Sequence, residues 1–330
     1  MTPVKAIGKF LDQPILTAKI NKYVPLAMAC GSSIVIGKTL NETPNSERKK
    51  EGGKLAIILS STILSAIFAP KIASKITGRN TSKTLSVIKE ENSKLVDTYI
   101  SEHGKNGLSK ILEKSKTGLL SPNEISILFN KNKDIGDKLI PPPDNIKAKD
   151  IFKEIGWLSI FGAVPVAGGI AGGIAADRIY DKKEWKDRVP DKVNEGIYQY
   201  LANIFLCNIG AGIALEILEK MNIKSKAARC IGMVAGILLT GVIGGSVMAN
   251  YIGNQLINPI IFKDKSKEKR TPELLDLSLH TDDIATVSLL SGLKWIEPSL
   301  PILYSISGYR AGIGYRNDKN PKSKHIKVSA

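Results

Sequence analysis

Three long stretches without a charged residue constrain this 330-residue sequence most strongly. They hold 22 residues from Ile155 to Ala176, 20 from Gly196 to Leu215 and 33 from Cys230 to Phe262. A helix needs roughly 20 apolar residues to cross about 30 Å of hydrocarbon. Each stretch is therefore long enough for a transmembrane helix, and the third is long enough to tilt or to continue along the membrane surface.

Three further apolar runs bring the predicted number of apolar helices to about six. The run from Tyr23 to Gly37 is extended by Lys38, whose ammonium group can reach the membrane surface. The run from Leu55 to Pro70 is predicted to leave the membrane at Pro70. The run from Ile284 to Tyr309 is interrupted by charges and prolines, which predicts a broken or re-entrant segment. The first two runs are also short enough for a buried hairpin in a soluble protein.

A lysine-rich segment separates the second run from the third. Within it, Ser121, Pro122 and Glu124 have the spacing of a helix N-cap, a first-turn proline and a capping box. Pro141 to Pro143 form a stiff stretch near its end. These features predict a water-facing helical insert.

The sequence thus predicts an all-α, multi-pass helical membrane protein whose apolar helices form hairpins around one soluble insert. The predicted parts are a basic N-terminal lead (1–22), a first apolar hairpin (23–76), the lysine-rich insert (77–154), the main membrane helices (155–262), a basic loop with a broken apolar segment (263–309) and a basic C-terminal tail (310–330).

Small residues recur four positions apart in several of the apolar runs. On a helix this spacing places them on one face, where a neighbouring backbone can approach closely, and in lipid such packing takes over from the hydrophobic force between helices. We expect helix packing at Ala29, Ser33, Gly37, Gly168, Gly172, Ala176, Gly241, Gly245, Ala249 and Gly253.

Two of these stretches also align with each other. Residues 168–179 and 241–252 match without gaps at an offset of 73 residues. The match predicts an internal repeat of helical hairpins built on a glycine zipper. A shared bias towards glycine gives the same match by convergence, and the sequence leaves both explanations open.

Polar residues inside the apolar runs are the candidates for a polar pathway. Asn250, Asn254 and Asn258 lie four apart on one helical face. Asparagine in hydrocarbon needs a partner, so this face is predicted to meet protein, water or the membrane surface. The residues either hold helices together, which we favour, or line a transport route. The candidate set is Asn203, Asn208, Asn250, Asn254, Asn258, Lys294 and Glu297.

No motif in the sequence indicates catalysis. It contains no GxxxxGK[ST], HExxH or GxSxG pattern. Its three cysteines, Cys30, Cys207 and Cys230, lie inside or beside apolar runs without metal-ligand spacing, and we interpret them as small buried apolar residues. We expect a protein that is not an enzyme and that uses neither a metal nor another cofactor.

The formal net charge of +16 comes from lysines and arginines in every connection between apolar runs. Because the charges are spread out, a bilayer with anionic headgroups is the expected partner and nucleic acid is not. Self-association into a homo-oligomer is compatible with the small-residue stripes. A slight excess of Lys and Arg predicts that both termini and the 77–154 insert lie in the cytoplasm.

Three functional classes fit this reading. The favoured one is a non-enzymatic integral membrane protein of structural or membrane-organising type. The alternative is a transporter or channel with the asparagines and Lys294 along its polar line. The third is a membrane-active protein that inserts from a soluble form.

Overall fold

The structure, a computed structural model, describes residues 1–79, 82–104, 107–142, 148–223, 225–263, 269–273 and 294–315. These residues form helices and connecting loops, and none of them lies in a strand. The all-α prediction is therefore confirmed for the described residues. The chain divides into two compact units.

The α-helices follow one another along the described chain as α1 (Pro3–Leu11), α2 (Pro14–Glu42), α3 (Arg48–Thr77), α4 (Leu85–His103), α5 (Ser109–Thr117), α6 (Pro122–Lys131), α7 (Lys133–Leu139), α8 (Ala148–Tyr180), α9 (Val189–Tyr200), α10 (Leu206–Lys220), α11 (Lys226–Ile237), α12 (Ser246–Ile252) and α13 (Leu300–Ile313). Short 3-10 helices precede α9 (Trp185–Arg188) and α13 (Lys294–Ser299). π-Helical segments join α9 to α10 (Leu201–Phe205) and α11 to α12 (Leu238–Gly245), and a third follows α12 (Gly253–Ile261).

The first unit consists of residues 1–24, 80–146 and 288–299. Its apolar core includes Val96, Leu112, Ile125 and Leu128, all of which are fully buried. Ser121 accepts a hydrogen bond from the Glu124 backbone N–H, and the Glu124 side chain accepts one from the Ser121 backbone N–H. The capping box predicted at the start of α6 is thus confirmed.

The N-terminal residues belong to this unit rather than forming a separate lead. The Gln13 side chain exchanges two hydrogen bonds with the backbone of Leu120, at 2.8 and 2.9 Å. Phe10 packs against the apolar core. The first predicted boundary therefore differs from the structure, because an exchange between residues 107 positions apart cannot be read from local sequence.

The second unit consists of residues 25–79, 147–287 and 300–330. Its longest contact is between α3 and α8, which run antiparallel. The pairing is visible in side-by-side positions along both helices, namely Lys54 with Asp177, Ser61 with Gly172, Ser65 with Gly168 and Ser74 with Trp157. The main partner of α3 in the second unit is therefore α8, and the apolar hairpin of residues 23–76 stays a prediction.

The second apolar helix also extends past its predicted end. α3 continues through Pro70 to Thr77 and ends at Gly78, which adopts a left-handed conformation with φ of 70°. Glycine is the usual residue at such a helix end because it has no Cβ to clash. The helix therefore does not end at Pro70, since a proline inside a helix removes one hydrogen bond without ending it, and the point at which it leaves the membrane stays a prediction.

A second antiparallel pair forms where the chain turns between α10 and α11. Gly210 lies against Gly236 and Thr240, and Gly245 lies against Ala202. α13 then packs along α8 in the same direction, with Gly308 next to Gly169 and Gly312 next to Gly173.

Five helical stretches of the described chain are long and apolar enough to cross a membrane. They are Pro14–Glu42, Arg48–Thr77, Glu154–Tyr180, Trp185–Lys220 and Ile231–Ile261. The sixth predicted run, from Ile284 to Tyr309, lies partly outside the described residues. Its described part is the 3-10 helix Lys294–Ser299 followed by α13.

Candidate functional site

The glycines predicted as packing residues in α8 lie in close contact with α3. A Cβ on Gly168 would come within 2.0 Å of the Ser65 hydroxyl, and one on Gly172 within 2.7 Å of the Ser61 Cβ. The Ser61 hydroxyl donates a hydrogen bond to the Gly168 carbonyl at 2.7 Å. Glycine is thus required at both positions by the close approach of the two helices.

The neighbouring glycines of α8 make a second close contact, which the sequence analysis missed. A Cβ on Gly169 would come within 1.8 Å of the Gly308 carbonyl oxygen, and one on Gly173 within 2.0 Å of the Gly312 carbonyl oxygen. The four-residue spacing of each pair is the signal that could have revealed it. α8 therefore presents one glycine face to α3 and another to α13.

The predicted stripe at Gly241 and Gly245 faces the π-helical segment after α9 and the start of α10. A Cβ on Gly241 would meet the Cys207 sulfur at 2.0 Å, and one on Gly245 would meet the Ala202 Cα at 2.5 Å. Ala176 and Ala249 are buried. Gly253 lies close to the Asn194 side chain.

The predicted stripe in α2 has a different environment. Ala29, Ser33 and Gly37 are exposed, and a Cβ on Gly37 would meet nothing within 4 Å. No helix of the described chain packs against these three positions, and only 11% of the most apolar part of α2 is buried. Cys30 is likewise exposed, contrary to the prediction for the cysteines, whereas Cys207 is buried.

A group of charges, here called the glutamate–arginine cluster, consists of the buried residues Glu195, Arg270 and Arg310 and of Glu273, whose side chain is 30% exposed. Glu195 is 0% exposed, and its carboxylate lies 3.2 Å from Arg270 Nε and 3.7 Å from Arg310 Nε. Arg310 also pairs with Glu273 at 3.2 Å. Two acids thus face two bases, which balances the charges that leave water. The prediction that Arg310 begins a basic tail is wrong, because this residue is buried in α13.

Polar side chains extend this cluster along α9 and into the π-helical segment that follows it. The Gln199 amide donates a hydrogen bond to Glu195 at 2.8 Å, and the Asn203 amide donates one to Gln199 at 2.8 Å. All three residues are almost fully buried. Their four-residue spacing places them on one helical face, so they form a continuous polar ladder.

Two of the predicted asparagines join the same region from the facing helix. Asn250 accepts a hydrogen bond from the Arg270 backbone N–H and donates one to the Arg270 carbonyl, both at 2.8 Å. Asn258 accepts one from the Asn194 amide at 2.6 Å. These asparagines therefore bind other parts of the chain, as expected for side chains that hold helices together.

A small cavity lies beside these residues, with a volume of about 10 Å³. Its lining includes Asn194, Tyr198, Asn250, Asn254 and Arg270. A cavity needs roughly 10–15 Å³ to hold a water molecule. This space therefore has room for about one water and none for a larger solute.

The remaining predicted polar residues lie elsewhere. The Asn208 amide donates a hydrogen bond to the Ile204 carbonyl of its own helix at 2.6 Å. Glu297 accepts one from Ser82 within the first unit, and the segment with Lys294 belongs to that unit too. The structure thus brings together Asn203, Asn250, Asn254 and Asn258 but not Asn208, Lys294 and Glu297.

A second group of charges, here called the lysine–aspartate cluster, lies where α3 begins and α8 ends. Asp177 lies 2.9 Å from Lys192 Nζ, 3.6 Å from Arg188 and 3.7 Å from Lys54. Asp181 lies 2.6 Å from Arg188 and also pairs with Lys50 and Lys54. The cluster consists of Lys50, Lys54, Asp177, Asp181, Arg188 and Lys192.

The Asp181 carboxylate stays charged at all ordinary pH values. Burial raises the pKa of this carboxyl, but hydrogen bonds from Lys50 and Lys54 and the charge of Arg188 outweigh burial and hold the pKa at about 2. Asp181 therefore remains an acceptor for its three basic neighbours.

Neither charged cluster was predicted from the sequence. In the sequence, Asp177 and Glu195 are single charges that flank long apolar stretches, and Arg270 lies in the basic loop predicted for residues 263–309. Their partners are distant in the chain, since Arg270 lies 75 residues from Glu195. The one feature of the sequence that could have indicated these clusters is the position of single charges at the ends of long apolar runs.

Comparison of the chain with protein family models, curated proteins and solved structures found no match.

Proposed function

We propose that the protein is a non-enzymatic integral membrane protein of structural or membrane-organising type. The support begins with where its apolar and charged residues lie. In the membrane-length helices, Ile34, Ile243 and Val247 are 71%, 60% and 66% exposed. Glu195, Asp177 and Lys192, by contrast, are 0%, 3% and 3% exposed. Ionisable residues inside and apolar residues outside are typical of a helix bundle surrounded by lipid.

The closed helix interfaces carry the structural assignment. The glycines of α8 hold α3 and α13 at backbone contact, and those near Gly241 and Gly245 do the same for the next pair of helices. The cavity beside the asparagines has room for about one water. A bundle packed in this way supports a scaffold better than it supports a route for a solute.

The proposed orientation places the N-terminus and the 77–154 insert in the cytoplasm. The lysine–aspartate cluster then lies at the opposite membrane surface. The end of α3 and the beginning of α8 adjoin the insert in the chain, whereas the beginning of α3 and the end of α8 meet at the cluster. This arrangement is supported by the ion pairs between the beginning of α3 and the end of α8. The connection before α3 and the connection after α8 are expected on the same side of the membrane.

The cytoplasmic C-terminus expected from the sequence is not proposed, because α13 runs in the same direction as α8 and Gly314, just past its end, lies beside Asp191 and Lys192 at the lysine–aspartate cluster. Anionic headgroups are the proposed partners of the basic connections.

A second candidate, a transporter or channel, is favoured by one observation. Glu195, Gln199 and Asn203 form a buried polar ladder inside a membrane-length helix. Buried ionisable groups in such helices often belong to ion or proton pathways.

A flux measurement on purified protein in liposomes distinguishes these two functions. The closed bundle predicts that an imposed proton or potassium gradient decays as slowly as in protein-free liposomes. An Asn203→Ala variant serves as the comparison, because it shortens the polar ladder. A gradient that collapses with the wild-type chain and persists with the variant would contradict the structural function and support a transporter or channel.

A further inference from the structure

An open cleft adjoins the lysine–aspartate cluster. It has a volume of about 540 Å³, and its lining includes Glu47, Lys50, Tyr180, Lys182, Lys183 and Arg188. Pockets for small molecules in proteins usually have volumes of roughly 300–1,000 Å³. The cleft is thus large enough for a small polar ligand, unlike the one-water cavity near Asn250.

The cleft lies where membrane-length helices end. Arg48 begins one of these stretches, Tyr180 ends another and Trp185 begins a third. Two of these residues, Tyr180 and Trp185, are aromatic, and aromatic residues at the ends of membrane helices are typical of the headgroup level of a bilayer. Ile179 and Tyr180 line the cleft and are 54% and 38% exposed, so they offer it an apolar side.

The charges that line the cleft fall into two sets. Six of them neutralise one another, since Lys50, Lys54 and Arg188 all pair with Asp181, while Glu51 also pairs with Lys54 and Glu184 with Arg188. Glu47, Lys182 and Lys183 are exposed.

These three residues have no ion pair with any residue that the structure describes. The cleft therefore offers two positive charges and one negative charge to a ligand. A group with both a phosphate and a primary ammonium matches this combination better than a simple anion does.

We propose that the cleft binds the headgroup of a zwitterionic phospholipid of the phosphoethanolamine class. Lys182 and Lys183 bind the phosphate, Glu47 accepts hydrogen bonds from the ammonium, and the lipid chains pass along Ile179 and Tyr180. The inference rests on the proposed membrane function. A quaternary ammonium has no N–H to donate, so phosphocholine lipids are expected to bind less tightly.

The test measures binding of a short-chain phosphatidylethanolamine to the full chain in detergent, by native mass spectrometry. The first variant is Lys182→Gln/Lys183→Gln, and the matched control is Lys49→Gln/Lys186→Gln. Each removes two exposed lysines close to the lysine–aspartate cluster in the chain, but only the first pair lines the cleft. The first variant is expected to weaken binding by roughly 10-fold, and the control is expected to bind like wild type.

Glu47→Gln tests the ammonium half of the site. This variant is expected to lose the preference for phosphatidylethanolamine over phosphatidylcholine and phosphatidylglycerol while keeping its affinity for the phosphate. Equal binding by wild type and the Lys182→Gln/Lys183→Gln variant would overturn the inference. So would a wild-type preference for phosphatidylglycerol that Glu47→Gln leaves unchanged.

The failure of this inference is distinguishable from failure of the proposed function. A chain that stays in the membrane at high pH but shows no selective lipid binding contradicts the cleft alone. A chain that leaves the membrane under that treatment contradicts the integral membrane assignment on which both depend.

Discussion

Glu195 is the single residue whose burial requires the most compensation. A carboxylate in an apolar interior loses several kcal/mol of hydration, which opposite charges and hydrogen bonds must replace. Here Arg270, Arg310 and the Gln199 amide supply them. Arg270 also lies over the Tyr198 ring at 4.4 Å, which adds a cation–π contact.

Neutralising this carboxylate is expected to destabilise the bundle. Glu195→Gln leaves the two arginines with less negative charge nearby, and breaking a buried pair costs about 3–5 kcal/mol. The control is Glu216→Gln on the same membrane-length helix, where Glu216 pairs with Lys220 at an exposed position. Its expected cost is about 0–1 kcal/mol. Thermal unfolding in detergent measures both, and similar unfolding temperatures would contradict the assigned role of Glu195.

Sequence reasoning at this scale found local features and missed distant ones. The Ser121 capping box was predicted because all its members lie within four residues. The asparagines near position 250 were singled out, since a polar side chain in an apolar run needs a partner. The partner of Asn250 could not be identified, because it is the backbone of Arg270 in a loop 20 residues away.

At the scale of helices, the second unit is organised by two glycine faces of α8. Gly168 and Gly172 contact α3, whereas Gly169 and Gly173 contact α13. Four-residue spacing predicted that Gly168 and Gly172 pack, but it could not predict which helix they meet. The alignment of residues 168–179 with 241–252 stays a prediction, and the two glycine pairs it relates pack on different partners.

Filling the contact between α3 and α8 is expected to separate the helices. Gly172→Leu places side-chain atoms where Ser61 already lies, because even a Cβ would come within 2.7 Å of it. Overpacking of this kind costs about 3 kcal/mol. Gly156→Leu is the control on the same helix, since a Cβ there meets nothing within 4 Å. The comparison is made by thermal unfolding in detergent, and equal destabilisation by both variants would rule out a special role for the stripe.

At the scale of the whole chain, sequence alone predicted the kind of the apolar helices better than their grouping. Five of the roughly six predicted apolar helices appear as membrane-length helices of the described chain. The unit formed by residues 1–24 with 80–146 was not predicted, because it joins segments separated by a long apolar helix pair. The hydropathy of a helix indicates whether it is suited to lipid or to water. Which helices form one unit depends on contacts between distant segments of the chain.

The proposed orientation makes a prediction about accessibility. A cysteine introduced at Lys110 in the insert and one at Lys186 are separated in the chain by α8, so they are expected on opposite membrane surfaces. The measurement is labelling of sealed vesicles with a thiol reagent that does not cross the bilayer, in a chain without its own cysteines. Labelling of both positions from the same side would contradict the orientation.

Everything proposed for this chain depends on hydrocarbon surrounding its five membrane-length helices. Extraction of membranes with alkaline carbonate, followed by sedimentation, tests that dependence. Because the exposed faces carry residues such as Ile243 and Val247, the full chain is expected to sediment with the membranes. Recovery of folded chain in the supernatant, without detergent, would contradict the membrane assignment and support a protein that is stable in water.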